Sequence, residues 1–361
     1  MEPKAVGERY RGAAVMDRTA FAGSSGYTIV LRKPYLLFLG EESNPLKAKT
    51  ALGLRDWVPE DCVGQMRMAG GLVDLELPEM DPEAAVSVGA KSLVIGVTPP
   101  EGRIPQHWME QLCAAARAGL DIVSGLHTPL DQVPGLAEAA ARSGARLVDV
   151  RRPPAGIPRA TGKRRSGKRV AMVGTDCALG KKYTALALAA AMRDGGVAAD
   201  FRATGQTGIM IAGSGIAVDA VIADFIAGAA ECISPAAEPG HWDVIEGQGS
   251  LFHPAYSGVT LGLLHGSQPD ALILCHDPSR THMVSWPDYP LAGLKHAERL
   301  YVEMARMTNP AARLAGVSLN TSSLDDALAS EALERASREL GVPAFDPMRS
   351  HPGAVVEAIL A

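Results

Sequence analysis

Short apolar runs recur along this chain, each closed by glycine, proline or a polar cluster, with helix-spaced segments between them. Residues 35–39, 92–97, 121–124 and 146–150 read as buried strands. Between them, 105–120 carries Trp108, Leu112 and Ala115 at the spacing of one helix face, and 136–143 predicts a second helix. The same alternation resumes at 170–173, an apolar run followed by a glycine-bounded loop. Lys181 then opens an alanine- and leucine-rich helix that ends near Gly195 and Gly196. Strands are expected at 199–203, up to Glu246, at 271–274, at 314–319 and around Ala344 and Phe345. Helices are expected at 216–232, at 324–340 and at the C-terminus. Strand and helix alternating at this spacing predict parallel sheets in an α/β fold.

Between the two alternating halves the composition changes. Residues 151–169 read R-R-P-P-A-G-I-P-R-A-T-G-K-R-R-S-G-K-R, where prolines, glycines and cations crowd together. This predicts a solvated linker. The expected organisation is an arm over 1–32, a Rossmann-like parallel-sheet domain over 33–155 and a P-loop domain over 156–361. The first domain lacks G-x-G-x-x-G, so no dinucleotide is assigned to it.

Composition narrows the function. The 361 residues are long enough for two domains, 47% hydrophobic and only 5% aromatic, a mix that suits helix–sheet packing. The net charge of -5, without a long charge block, argues against nucleic acid as a partner. No apolar run approaches the roughly 20 residues of a membrane span, and the N-terminus lacks the apolar centre of a secretory signal. Five scattered cysteines without C-x-x-C spacing argue against structural zinc and disulfides, and favour a reduced cytoplasm. His276, Asp277 and His282 match no common zinc spacing, so no metal is expected. The expected partner is a small-molecule substrate, with the chain forming a homo-oligomer.

The chemistry centres on V-A-M-V-G-T-D-C-A-L-G-K-K-Y-T, which has the strand, glycine loop, lysine, helix order of a phosphate-binding P-loop. Backbone N–H groups and the positive end of the helix dipole favour an anion there. Gly174, Thr175, Asp176, Cys177, Gly180, Lys181, Lys182 and Tyr183 are therefore the expected phosphate-ligand residues, with Lys181 on the outer phosphates. The loop departs from the common form in two ways. It has five residues between its glycines, and Lys182 occupies the position of the Ser or Thr that holds Mg2+. Thr184 is the nearest hydroxyl that can stand in.

Other candidates lie where expected strands end, as ligands of open α/β sheets do. R-A-T-G-Q-T-G offers Arg202, Gln206 and Thr207 on a glycine-rich tip. W-D-V-I-E-G-Q-G-S-L-F-H-P offers Glu246, Gln248 and His253. C-H-D-P-S-R-T-H offers His276 and Arg280. A helix begun by Pro45 carries Lys47. Arg202, Arg280 and Lys47 are candidates for holding carboxylates, and Glu246 or His253 for a general base.

The spelling G-T-D-x-x-x-G-K resembles dethiobiotin synthetase and its P-loop relatives. That resemblance implies that Asn320, at a strand end, reads an adenine edge, and it offers an ATP- and Mg2+-dependent ligase or kinase as the alternative activity. The motifs G-T-D-C-A-L-G-K-K-Y-T, F-R-A-T-G-Q-T-G, D-V-I-E-G-Q-G-S-L-F-H-P and L-H-G-S-Q-P-D-A-L-I-L-C-H-D-P-S-R-T-H occur in this order. Together with P-L-K-A-K-T-A-L-G-L-R-D-W they resemble the D-glutamate N-acetyltransferase (DgcN-like) family over nearly the whole chain. This second resemblance implies a Rossmann-like half followed by a P-loop half. It also implies acetyl transfer from acetyl-CoA to the amine of D-glutamate, the first step of a D-amino-acid breakdown continued by a dehydrogenase.

Overall fold

The computed structural model describes residues 28–361; the expected arm over 1–32 lies, up to residue 27, outside them. The described residues form two compact units. One comprises residues 29–153 together with 206–217, the other 154–205 and 218–361.

In the first unit, β1 (Tyr35–Gly40), β2 (Cys62–Arg67), β3 (Ser92–Ile95), β4 (Asp121–Ser124) and β5 (Leu147–Asp149) form one parallel sheet in the order β2-β1-β3-β4-β5. β1 and β3 are buried along their whole length, as continuous apolar spelling dictates for a parallel sheet covered on both faces. β2 escapes the hydrophobic pattern because Gln65 interrupts it. That side chain is buried all the same, accepting from Leu75 N–H at 2.7 Å and donating to Asp74 at 2.9 Å. The helix expected over 105–120 is shorter, Met109–Arg117, with a 3-10 turn at Gln106–Trp108 before it.

Residues 206–217 depart from expectation. The glycine-rich tip is a helix, Gln206–Ala212, and it belongs to the first unit. Ile209, Met210, Ile211 and Ala212 are all buried. The Tyr35 hydroxyl donates to the Met210 carbonyl at 3.1 Å, and Lys33 donates to that of Ile211 at 3.2 Å. Gly205 and Gly208 made the tip look like a loop; the apolar run 209–212 that follows them carries the helix.

In the second unit, β6 (Lys168–Gly174), β7 (Ala199–Arg202), β8 (Trp242–Ile245), β9 (Ala271–His276), β10 (Arg313–Leu319) and β11 (Ala344–Phe345) form a parallel sheet in the order β11-β10-β9-β6-β8-β7. β6, which feeds the glycine loop, therefore lies inside the sheet between β8 and β9. The helix Lys181–Asp194 follows that loop, and Asp325 caps the helix Asp326–Leu340 by accepting from Leu328 N–H. The helix expected over 216–232 is confined to Ile226–Ile233. Asp219 and Asp224 lie in two 3-10 turns before it, Val218–Ala220 and Ala223–Phe225.

Most of the cation-rich segment is exposed over its second half, but Arg165 and Arg169 are withdrawn from solvent. Arg169 is fully buried and donates to the carbonyls of Ser166 and Pro235, both at 3.0 Å. Arg165 donates to the carbonyls of Ser234 and Gly266 at 2.8 Å, and Arg164 pairs with Asp270 at 3.2 Å. Gly228 is pressed so closely to Pro158 that a Cβ there would meet its carbonyl at 1.8 Å. Composition indicated solvent exposure throughout; the Arg165 and Arg169 guanidinium groups instead donate to backbone carbonyls. Among the described residues, no helix is long and apolar enough to cross a membrane.

Trypsin is expected to spare the bonds after Arg165 and Arg169 in the native protein, because cleavage requires the strap to leave its carbonyl partners. Time-resolved fragment masses check this, and early cleavage at either residue would overturn it.

Candidate active site

The loop after β6 is shaped from every side. The Gly174 carbonyl accepts from the Tyr301 hydroxyl at 2.7 Å, and that hydroxyl accepts from Leu251 N–H at 2.9 Å. Thr175 N–H donates to the Cys275 carbonyl at 3.2 Å, and its hydroxyl meets His276 Nδ1 at 2.9 Å. Ala178 and Gly180 both take positive φ, 52° and 93°, which turns the loop into the helix. Gly247, after β8, lies so near that a Cβ there would stand 1.9 Å from the Met172 carbonyl and 2.9 Å from Lys181 Cδ. Only glycine fits.

Lys181 is buried, and its ammonium donates to the Asp176 carbonyl at 2.7 Å. Burial holds its pKa below the usual lysine range. Arg280, a candidate carboxylate clamp, donates to the loop carbonyls of Cys177 and Ala178 at 3.1 and 2.9 Å. Its Nε pairs with Asp277 at 3.0 Å, and its guanidinium lies 3.6 Å from Asp176. In this structure Arg280 braces the phosphate loop. Asp176 Oδ2 accepts from Val284 N–H at 2.8 Å, while buried Oδ1 has no hydrogen-bond partner among the described residues.

Glu246 is buried just past β8. Its Oε2 accepts from Thr204 N–H at 2.9 Å and Gly205 N–H at 3.0 Å. Burial raises its pKa above the usual glutamate range, against the pull of those N–H groups and of the Lys182 charge. Gln248 donates to the Thr204 hydroxyl at 3.1 Å. His253 is buried, and its Nδ1 accepts from Ala255 N–H at 3.2 Å, so the neutral ring carries its proton on Nε2. In that state it is a donor, which favours Glu246 over His253 as a base. His276, hydrogen-bonded to Thr175, has its pKa lowered by burial.

Arg202, expected at a ligand carboxylate, is buried with Nε 2.6 Å from Asp243, and it also pairs with Asp200 at 3.1 Å. It lies opposite Ile245 of β8, and its side chain reaches back to Asp243, two residues earlier on that strand. Asn320 accepts from Ser322 N–H at 3.2 Å and faces Asp277 at 3.5 Å. Lys182 and Tyr183 make a cation–π contact at 4.9 Å. Lys47, Gln206 and Thr207 belong to the first unit, where Lys47 is exposed and the Thr207 hydroxyl meets that of Thr50 at 3.0 Å. The structure thus gathers the loop residues, Glu246, Gln248, His253, His276 and Arg280 in one unit.

Sequence reasoning missed Tyr301 and the juxtaposition of Asp176, Cys177 and His253. The ligand-type atoms of these last three lie within 4.8 Å of one another. Aspartate, cysteine and histidine are donors that divalent transition ions accept. Arg280 stands beside the set with Asp176 and Asp277 as its counter-charges, and the Lys181 ammonium donates to the Asp176 carbonyl.

The matches to known proteins follow this geometry. Residues 158–356 match the family model described as the DUF1611 P-loop domain of unknown function, and 64–153 match its Rossmann-like N-terminal domain. A D-glutamate N-acetyltransferase of Tritonibacter scottomollicae is 48% identical over 92% of this chain and 100% of its own. A second, from a Pseudoalteromonas species, is 44% identical over 90% of this chain and 98% of its own. The crystal structure of a DUF1611 family protein from Anabaena variabilis superposes with a TM-score of 0.79 at 34% identity, covering 91% of this chain and 99% of that one.

Two outcomes test the site. Lys181→Ala is expected to weaken pyrophosphate binding by at least about 1 kcal/mol, the scale of a charge-assisted hydrogen bond; calorimetry showing unchanged affinity would remove Lys181 from the phosphate site. The second concerns Glu246. A carboxyl whose pKa is raised by folding binds its proton more tightly in the folded state. Its ionisation therefore lowers stability as pH rises from the ordinary glutamate range through the raised value. Glu246→Gln keeps an acceptor for Thr204 and Gly205 but carries no charge. The variant should gain melting temperature relative to the parent across that window, and a pH-independent difference would contradict the burial cost.

Proposed function

Because the chain belongs to the DUF1611 family, with its Rossmann-like and P-loop domains, we propose that it transfers acetyl from acetyl-CoA to the amine of D-glutamate without consuming ATP. The choice of a thioester donor over ATP rests on Thr184. This threonine lies two residues past the position whose Ser or Thr hydroxyl holds Mg2+ in a nucleotide-splitting loop. Its side chain is buried, 2.7 Å from the Ser318 hydroxyl and donating to the Gly180 carbonyl at 3.1 Å. The position directly after Lys181, which should carry the hydroxyl, is Lys182. A loop with this spelling suits an anion held by N–H groups and ammonium groups, such as the pyrophosphate of CoA.

The chemistry then requires few groups. Glu246 takes a proton from the ammonium of D-glutamate, for which its raised pKa is suited. The freed amine attacks the thioester carbonyl carbon, the C–N bond forms and the C–S bond breaks. As the adduct collapses the nitrogen sheds its second proton, CoA leaves as the thiolate, and the thiolate takes up a proton in balance. His253, as an Nε2–H donor, is the candidate to stabilise negative charge on the carbonyl oxygen. Lys181 and the loop N–H groups hold the donor's phosphates. We place the reaction in D-amino-acid breakdown, in a reducing cytoplasm compatible with the five free cysteines.

Enzyme, acetyl-CoA and D-glutamate are mixed and free thiol is followed, with L-glutamate and ATP as controls. Thiol release is expected with D-glutamate and is expected to survive EDTA. Glu246→Gln should lower turnover by about 10²-fold or more while leaving acetyl-CoA affinity nearly unchanged. Absence of thiol release, with ADP formed from ATP and some acceptor, would move the protein to the ligase class.

A further inference from the structure

Tyr256, Trp286 and Tyr289 are large aromatic side chains left 51%, 37% and 42% exposed on the second unit. They are not scattered. Trp286 meets Tyr289 edge to face at 5.7 Å and meets His253 the same way at 5.7 Å, while Tyr256 stacks on His253 at 4.5 Å. His253 in turn lies against Asp176 and Cys177 of the phosphate loop. Trp286 and Tyr289 sit on the strand Trp286–Pro290, whose five residues are all exposed. The segment bearing them is tied to the loop at two points, Val284 N–H on Asp176 and the Arg280 guanidinium on the Cys177 and Ala178 carbonyls. Clustered apolar rings left facing water mark a binding surface, and this one adjoins the loop that takes phosphate.

We propose that Tyr256, Trp286 and Tyr289 form a wall that holds the uncharged pantetheine arm of the donor as it leaves the phosphates on the loop. The inference rests on acetyl-CoA being the donor. The acceptor, D-glutamate, is unsuited to this wall, since its two carboxylates would face the negative faces of aromatic rings. The arm carries no charge between the pyrophosphate and the thioester, and its methylene and amide groups pack on rings. The wall's attachment through Asp176 and Arg280 fixes it relative to the phosphates, so a donor held at one end meets the rings with its arm already directed.

Binding to the full chain is measured for acetyl-CoA, 4′-phosphopantetheine, ADP and inorganic pyrophosphate, in the parent protein and in Trp286→Ala and Tyr289→Ala. Each variant is expected to weaken acetyl-CoA and 4′-phosphopantetheine by roughly tenfold, the effect of losing one aromatic contact, and to leave ADP and pyrophosphate unchanged. Trp286→Phe, which keeps a ring, should recover most of the loss. Unchanged acetyl-CoA affinity in both alanine variants overturns the proposal. Equal weakening of ADP also overturns it, because the rings would then read the base. A change of oligomeric state on light scattering without a change in acetyl-CoA affinity overturns it too, assigning the rings to contact between copies. If the parent binds pyrophosphate but not acetyl-CoA, the donor assignment fails instead.

Discussion

A buried lysine ammonium must be hydrogen-bonded, and Lys181 meets that demand on the Asp176 carbonyl, inside the loop it serves. Much of the second unit follows from keeping that loop in one shape. Tyr301 holds its first carbonyl, and its phenol, pushed up to about 12 by burial, stays a neutral hydroxyl able to donate and accept at once. Arg280 holds two carbonyls further along. Gly247 lets the neighbouring strand end approach closely enough to seal the Lys181 stem. A loop braced in this way costs little reorganisation when an anion arrives, the condition for strong electrostatic binding in a dry site.

The same bracing separates roles that residue type alone cannot. Arg202, Arg280 and Arg169 are all guanidinium groups near the six-stranded sheet, yet none stands free. Arg202 neutralises Asp243, Arg280 braces the loop and Arg169 satisfies backbone carbonyls. Arginine suits these positions because its planar fork can serve several acceptors at once without losing its charge. Of these three, Arg169 and Arg280 organise backbone and Arg202 organises carboxylates, while Glu246 keeps a buried carboxyl held by the Thr204 and Gly205 N–H groups.

The order of strands and helices was legible because parallel strands buried on both faces spell continuous apolar runs, as 35–39, 170–173 and 271–274 do. Segments whose folding depends on distant partners were harder to read. The end of the glycine-rich tip at 202–208 looked like a ligand-approaching loop, but Gln206 opens a helix whose apolar residues 209–212 are buried. Arg165 and Arg169 looked solvated because sequence shows their charge but not the carbonyls they donate to. β2 was hidden by a glutamine whose partners lie ten or so residues downstream.

By itself the sequence determined the phosphate loop and the acid after β8, since strand, glycine loop, lysine and helix are consecutive and their chemistry is local. It also determined the loss of the metal-holding hydroxyl at Lys182, a matter of spelling. Only the tertiary structure decided which hydroxyl and which cations remain available. Thr184 is two residues from the expected position, but its commitment to Ser318 depends on β10 lying against β9. The meeting of Asp176, Cys177 and His253, and the aromatic wall beside them, likewise arise where segments far apart in sequence converge past the ends of adjacent parallel strands. No periodicity along the chain encodes that proximity, because it is set by strand order and register.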